Sequence, residues 1–90
     1  MPVLMIPTPI RSYVDGQSEI HIGGRNVREA LENLLAEYPA LRPHLVNVRG
    51  KPRAFVNLFI GEHNIRDLKG LQTPVGEADV VRLVFSIAGG

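Results

Sequence analysis

The sequence contains no cysteine and no tryptophan, and neither sign of charge predominates. Without cysteine, disulfide bonds, thiol nucleophiles and thiolate metal sites are all excluded. Ten Lys and Arg residues stand against nine Asp and Glu residues, so the net charge at neutral pH is +1. This balance lacks the positive excess that proteins use to bind nucleic acid. We therefore expect no nucleic-acid partner.

Long hydrophobic runs are also missing. The apolar segment at residues 1–10 is interrupted by prolines and has no basic region. No window of the chain approaches the roughly 18 apolar residues of a membrane span, so we expect a soluble, cytoplasmic protein with no membrane partner. A chain of 90 residues also has little core to spare for an active-site cavity. A binder or carrier is expected in preference to an enzyme.

Two short strands are predicted near the start of the chain. Residues 3–6 form an apolar run between prolines, which is typical of a short strand. Asp15-Gly16 marks a turn, and residues 19–22 alternate polar and apolar side chains before two glycines end the run. The two strands are predicted to pair as a hairpin, with an irregular connection over residues 7–14.

A helix is predicted over residues 26–38. Asn26 is the expected N-cap, Glu29 can reach back to the cap, and Pro39 ends the helix. The apolar residues recur at the spacing of one helical stripe: Val27, Ala30, Leu31, Leu34, Leu35 and Tyr38.

Two further strands are predicted after the helix. Residues 55–60 are rich in aromatic and branched side chains and run into a turn at residues 61–64, and residues 80–87 form the last strand. With a right-handed crossover through the helix, the first and last strands lie parallel and adjacent in one mixed sheet. The helix then covers one face of that sheet. This order predicts an α+β protein with the β-grasp, or ubiquitin-like, fold.

The polar residues form no recognisable catalytic or metal-binding motif. No serine has the context of a nucleophile elbow, and the glycines at residues 23–24 lack the spacing and lysine of a phosphate loop. Arg49, Lys51 and Arg53 are interpreted as a solvated loop in preference to a contact with an anion or an acidic partner. The histidines are too widely separated to predict a metal site: His21, His44 and His63.

The remaining candidate is the terminal pair Gly89-Gly90. Two terminal glycines arise by chance in roughly one chain in two hundred. Residues 1–87 are predicted to form the β-grasp domain, and residues 88–90 a flexible Ala-Gly-Gly tail. Because glycine has no Cβ, an extended tail of this kind can enter a narrow channel and present the Gly90 carboxylate to an enzyme. These properties suit a substrate better than a catalyst.

Several segments together resemble the MoaD/ThiS family of ubiquitin-like sulfur carriers. They are Ile6-Pro7-Thr8, the helix from Asn26 to Tyr38 with Pro39 behind it, Phe55-Val56-Asn57, residues 76–79 and Ala88-Gly89-Gly90. The resemblance covers nearly the whole chain. Ile6-Pro7-Thr8 and the Ile-Ala-Gly-Gly ending are most similar to the branch that includes the carrier feeding a cysteine synthase. The chain departs from many relatives at Phe85, where they have proline beside the tail.

The resemblance implies that an E1-like enzyme uses ATP to adenylate the Gly90 carboxylate. A sulfur donor would then displace AMP to leave a thiocarboxylate, with Gly89 as a steric requirement. The chain would bind no cofactor, and its acceptor would be a synthase of cysteine, molybdopterin, thiamine or related biosynthesis. Two alternatives stay open: a protein modifier joined to lysines through Gly90, and a β-grasp interaction module whose tail is incidental.

Strand alternation also predicts a partner surface on the sheet face away from the helix, here called the open face. Residues 4, 6, 56, 58, 60, 81, 83, 85 and 87 should point to the helix. The outward residues then form an apolar patch with one cation: Val3, Met5, Phe59, Arg82 and Val84. The alternative is scattered surface apolar residues, which are common. The resemblance places the docking of the adenylating and acceptor enzymes on this face, and we assign Ile87 and Ala88, beside the tail, to the same interface.

Overall fold

The structure is a computed structural model, and it describes residues 1–86 of the chain. The strands are β1 (Val3–Met5), β2 (Glu19–His21), β3 (Val56–Ile60), β4 (His63–Asn64) and β5 (Val80–Phe85). The α-helices are α1 (Val27–Glu37) and α2 (Arg42–Leu45). Short 3-10 helices span Thr8–Val14, Pro39–Leu41, Ile65–Asp67 and Gly70–Gln72.

The five strands form one mixed sheet in the order β2-β1-β5-β3-β4. β1 pairs antiparallel with β2 and parallel with β5, and β5 pairs antiparallel with β3. The parallel pairing of the first and last strands is the arrangement that a crossover through α1 predicts. The hairpin, the mixed sheet and the β-grasp fold are therefore confirmed.

Two connections differ from the sequence prediction. The predicted turn at residues 61–64 is shorter in the structure, because Gly61 adopts φ +60° and reverses the chain within two residues. His63 and Asn64 then pair with β3 as β4, a strand that the sequence did not predict. Two residues are too few for alternation to reveal a strand. The predicted irregular connection over residues 7–14 is mostly the 3-10 helix Thr8–Val14. β1, β2 and β3 are each one residue shorter than predicted.

Helix α1 packs on one face of the sheet with its apolar stripe inward, as predicted. Leu34 is fully buried, and Leu31 and Leu35 are almost so. The facing strand residues are also buried: Leu4, Val56, Leu58, Val81 and Leu83. The core is closed at one end by buried side chains of the segment after α1: Leu41, Leu45 and Val46.

The start of α1 follows the predicted capping pattern with one difference. The Glu29 N–H donates to Asn26 Oδ1 at 2.8 Å, which confirms Asn26 as the N-cap. The Glu29 carboxylate reaches back to the Arg25 N–H at 3.0 Å, one residue before the cap. Gly24 packs so closely against α1 that a Cβ would lie 2.6 Å from the Ala30 nitrogen. At the other end the helix stops at Glu37, one residue earlier than predicted.

Candidate functional site

Arg82 lies at the centre of the open face. It is paired in register with Met5 of β1 on one side and with Phe59 of β3 on the other. Residues paired in register project from the same face of a sheet, so these three side chains form one row across three strands. The structure thus brings together residues that are far apart in sequence, as strand alternation predicted.

The Arg82 side chain is held by two contacts. Its guanidinium carbon lies 5.3 Å from the centroid of the Phe59 ring, which is a cation–π geometry. Its terminal Nη2 donates a hydrogen bond to the Gly61 carbonyl oxygen at 3.3 Å. Neither contact neutralises the charge, so the open face presents a positioned cation between the apolar side chains of Met5 and Phe59, with the acidic Glu19 paired to Met5 on the far side.

Three valines extend this row along the strands. Val3 is paired with Val80 in the parallel register, and Val84 is paired with Asn57. Val80 and Val84 are 39% and 36% exposed, whereas Val3, Met5 and Phe59 are half-buried. We call the six residues the open-face patch: Val3, Met5, Phe59, Val80, Arg82 and Val84.

Val80 is the member that the sequence analysis missed. It lies two residues before Arg82, and residues two apart in a strand share a face. The alternation carries this signal, because Val80 has the same parity as Arg82 and Val84. Since β5 begins at Val80, this residue continues the patch beside Val3.

The end of β5 is fixed by hydrogen bonds at Ser86, the last described residue. The Ser86 N–H donates to the Phe55 carbonyl oxygen at 2.8 Å. Asn57 donates from its side-chain amide to the Ser86 hydroxyl and accepts a weak bond from Asn64 at 3.4 Å. These contacts fix the position from which the chain continues towards Gly89 and Gly90.

Phe85 packs inward, as predicted. Its ring meets the Phe55 ring edge to face, with centroids 5.3 Å apart and an interplanar angle of 89°. Its backbone stays in register with Val56. Phe85 is therefore the last residue of β5, where the sequence predicted a strand to residue 87, and Ser86 follows it outside the strand.

The other predicted site residues lie outside the described residues: Ile87, Ala88, Gly89 and Gly90. Within residues 1–86, no group of His, Asp and Glu side chains is arranged to hold a metal ion. One of the three histidines, His44, stacks on Tyr13 with ring centroids 4.5 Å apart. In the same part of the chain, no helix has the length and apolar character needed to cross a membrane.

The model of the ThiS family matches residues 4–90, which is nearly the whole chain. The chain belongs to the ThiS family. The sulfur carrier protein CysO of Mycobacterium tuberculosis is 29% identical over 87 residues, and the alignment covers 94% of each chain. These findings confirm the resemblance and the CysO-like branch.

Two solved structures have the same fold as this chain. The crystal structure of M. tuberculosis CysO has a TM-score of 0.88 and 25% identity, and the match covers 97% of this chain and 100% of that one. A chain in the crystal structure of the Amycolatopsis orientalis BexX/CysO complex has a TM-score of 0.89, and the match covers 100% of this chain and 100% of that one. At 23% identity this match supports the fold alone. This ThiS-family chain is a sulfur carrier protein of the CysO type, a small carrier and not a catalyst.

Proposed function

We propose that Gly90 carries the sulfur of this carrier as a C-terminal thiocarboxylate. The observation that carries the proposal is the family match, which continues past the last strand to Gly90 and so includes both glycines. The anchoring of Ser86 to Phe55 supports it, because a fixed strand end followed by four residues suits a tail that enters another protein's active site. Gly89 keeps that tail narrow.

The proposed chemistry activates the carboxylate before sulfur attacks. A Gly90 carboxylate oxygen attacks the α-phosphorus of ATP and pyrophosphate leaves, which produces an acyl-adenylate. A persulfide sulfur of the donor then attacks the carbonyl carbon and AMP leaves with the electron pair of the broken bond. Reduction of the resulting acyl disulfide by a thiol releases the thiocarboxylate. An E1-like enzyme binds the ATP in this scheme, and the carrier, which has no cysteine, supplies only its terminus.

We propose that the open-face patch, with Ile87 and Ala88 beside it, docks the E1-like enzyme and the acceptor synthase. The support is its position, because β5 carries three patch residues and leads directly to the tail. Accessible apolar side chains around one fixed arginine are the composition of a small interface core. A CysO of the same fold crystallised in a BexX/CysO complex, which supports a protein partner.

Among the possible acceptors we favour a cysteine synthase. The relatives that cover 94% of the chain are CysO sulfur carriers, and the Ile-Ala-Gly-Gly ending resembles the branch that feeds such an enzyme. A molybdopterin or thiamine synthase would use the same thiocarboxylate. Conversion of the purified thiocarboxylate form back to the carboxylate, measured by intact mass with each synthase and its own acceptor substrate, distinguishes these acceptors.

Intact-mass measurement tests the thiocarboxylate directly. Incubation with the adenylating enzyme, ATP and the sulfur donor should replace one oxygen of the protein by sulfur. Deleting Gly90, or adding a residue after it, should abolish this change and leave the circular-dichroism spectrum intact. The control is Val48→Ala, because Val48 is fully exposed and lies outside the open face.

Three outcomes would contradict the proposal. If the chain with a residue added after Gly90 were adenylated at the wild-type rate without trimming, the adenylating enzyme would not require Gly90 at the C-terminus. A ladder of adducts on lysines would instead identify a protein modifier. Unchanged partner binding after removal of Gly89 and Gly90, with no sulfur incorporated into the intact chain, would identify an interaction module.

A further inference from the structure

A concave surface lies on the helix side of the sheet, opposite the open face. It is an open cavity of about 950 Å³ between α1, the loop at residues 49–52, β3 and the residues 64–66 and 70–72. Val56 and Leu58, which point towards α1, form part of its floor. We call this surface the basic groove, because five basic side chains line it.

Half of the chain's basic residues line this groove, although the whole protein is almost neutral. The remainder of the chain has only five basic residues against eight acidic ones. A cleft lined by one sign of charge concentrates the electrostatic potential and attracts the opposite charge. The exposed cations of the groove are Arg28, Arg42, Arg49, Lys51 and Arg66, and its one acidic residue is Glu32.

Most of this charge is not neutralised within the described residues. Arg28 pairs with Glu32 at 3.1 Å, but the other four cations form no ion pair with any residue of the range 1–86. The Arg66 guanidinium donates one long hydrogen bond, 3.4 Å, to the Ala54 carbonyl oxygen. The cations repel one another across the groove, and an anionic occupant would relieve that repulsion.

The aliphatic floor of the groove indicates which class of anionic ligand fits it. It is built from aliphatic side chains, of which Leu71 is half-buried and accessible while Leu31 and Leu35 lie deeper. None of the lining residues is aromatic, so nucleic-acid bases have no stacking surface there. A basic rim above an aliphatic floor complements a peptide that carries both carboxylates and leucine-like side chains.

We infer that the basic groove binds an acidic, leucine-bearing segment of a partner protein. The inference does not depend on the chemistry of Gly90. Because the groove and the open-face patch lie on opposite sides of the sheet, one partner can occupy the groove while another docks beside the tail. The groove would thus give the carrier a second point of attachment.

Fluorescence anisotropy with a labelled peptide of the sequence Glu-Leu-Glu-Glu-Leu-Glu-Glu-Leu tests the inference on the full chain. Binding should weaken by about tenfold in the double variant Arg49→Gln with Lys51→Gln, since both side chains are exposed rim cations. The matched control is Arg25→Gln with Lys69→Gln, which removes the same charge at two exposed residues that do not line the groove, and it should bind as the wild type does. Circular dichroism verifies that both variants are folded.

Four outcomes would overturn the inference. They are no measurable binding at low salt, equal weakening in the groove and control variants, equal binding of the peptide with Gln in place of Glu, and tighter binding of a single-stranded oligonucleotide of equal charge. A folded open-face variant, Phe59→Asp with Val84→Asp, should bind the peptide like the wild type. This last measurement separates failure of the groove from failure of the proposed docking on the open face.

Discussion

The two faces of the sheet are built from the same strands and have opposite properties. On the helix face, Leu58 and Leu83 are buried beneath Leu34 and make up the core. On the open face, their neighbours Phe59 and Arg82 remain accessible and form a cation–π contact. The apolar residues of the covered face contribute to folding, whereas those of the open face remain accessible to a partner. Strand alternation therefore separates stability from docking within a few residues.

The largest expected effect is on the covered face, where Leu34→Ala tests that separation. Leu34 is fully buried, and a cavity of this kind costs about 2–5 kcal/mol of unfolding free energy. That is a large part of the roughly 5–10 kcal/mol expected for a small domain. Val84→Ala on the open face should cost less than about 1 kcal/mol.

The chemical-denaturation midpoints of the two variants provide the comparison. Leu34→Ala should shift the midpoint to a much lower denaturant concentration, and Val84→Ala should leave it close to that of the wild type. Equal shifts would show that the two faces do not divide stability from docking in this way.

The second-largest effect is expected on the open face, where substitutions should lower the affinity for a partner and leave the stability of the fold unchanged. Phe59→Asp with Val84→Asp removes the ring under Arg82 and places two carboxylates in the patch. Affinity for the adenylating enzyme should fall at least about tenfold, which corresponds to about 1.4 kcal/mol. The melting temperature should stay near that of the wild type.

A charge-matched control sharpens this second prediction. Val48→Asp with Leu68→Asp introduces the same two charges at exposed apolar residues outside the patch. Its affinity for the adenylating enzyme should be unchanged. Wild-type affinity in the folded Phe59 and Val84 double variant would move the interface away from the open face.

The success of sequence reasoning differs between local and tertiary features. Alternation placed Leu58 inward and Phe59 outward because each strand of the sheet has a period of two residues. The same reasoning missed β4, which is too short to show a period, and it treated Arg49 and Lys51 as part of a solvated loop. The loop is exposed, as predicted, but its position beside Arg28 depends on how α1 packs against β3. No local pattern encodes that arrangement.

A smaller effect is expected where α1 begins, and it tests how far the covered face depends on helix capping as well as on burial. Asn26→Ala removes the side-chain acceptor of the Glu29 N–H. The expected cost is about 1 kcal/mol of unfolding free energy. Asn26→Ser keeps an acceptor oxygen, so its denaturation midpoint should lie closer to that of the wild type than to that of Asn26→Ala. Equal loss in both variants would show that the cap bond is not the cause.

The smallest effect concerns pH and the same end of α1. The Arg25 N–H donates to the Glu29 carboxylate, and with the nearby Arg25 charge it holds the pKa of Glu29 below its ordinary value. The unfolded chain, with the higher pKa, therefore binds the proton first as the pH falls. The stabilisation is complete above the ordinary Glu pKa of about 4.3 and is lost as the pH falls through the lower pKa of the folded state. Glu29→Gln should lower the denaturation midpoint slightly at neutral pH and should reduce its further fall in acid. If the midpoint of Glu29→Gln fell in acid as steeply as that of the wild type, the pH dependence would belong to other carboxylates. Asn26 would then be the main contributor to capping.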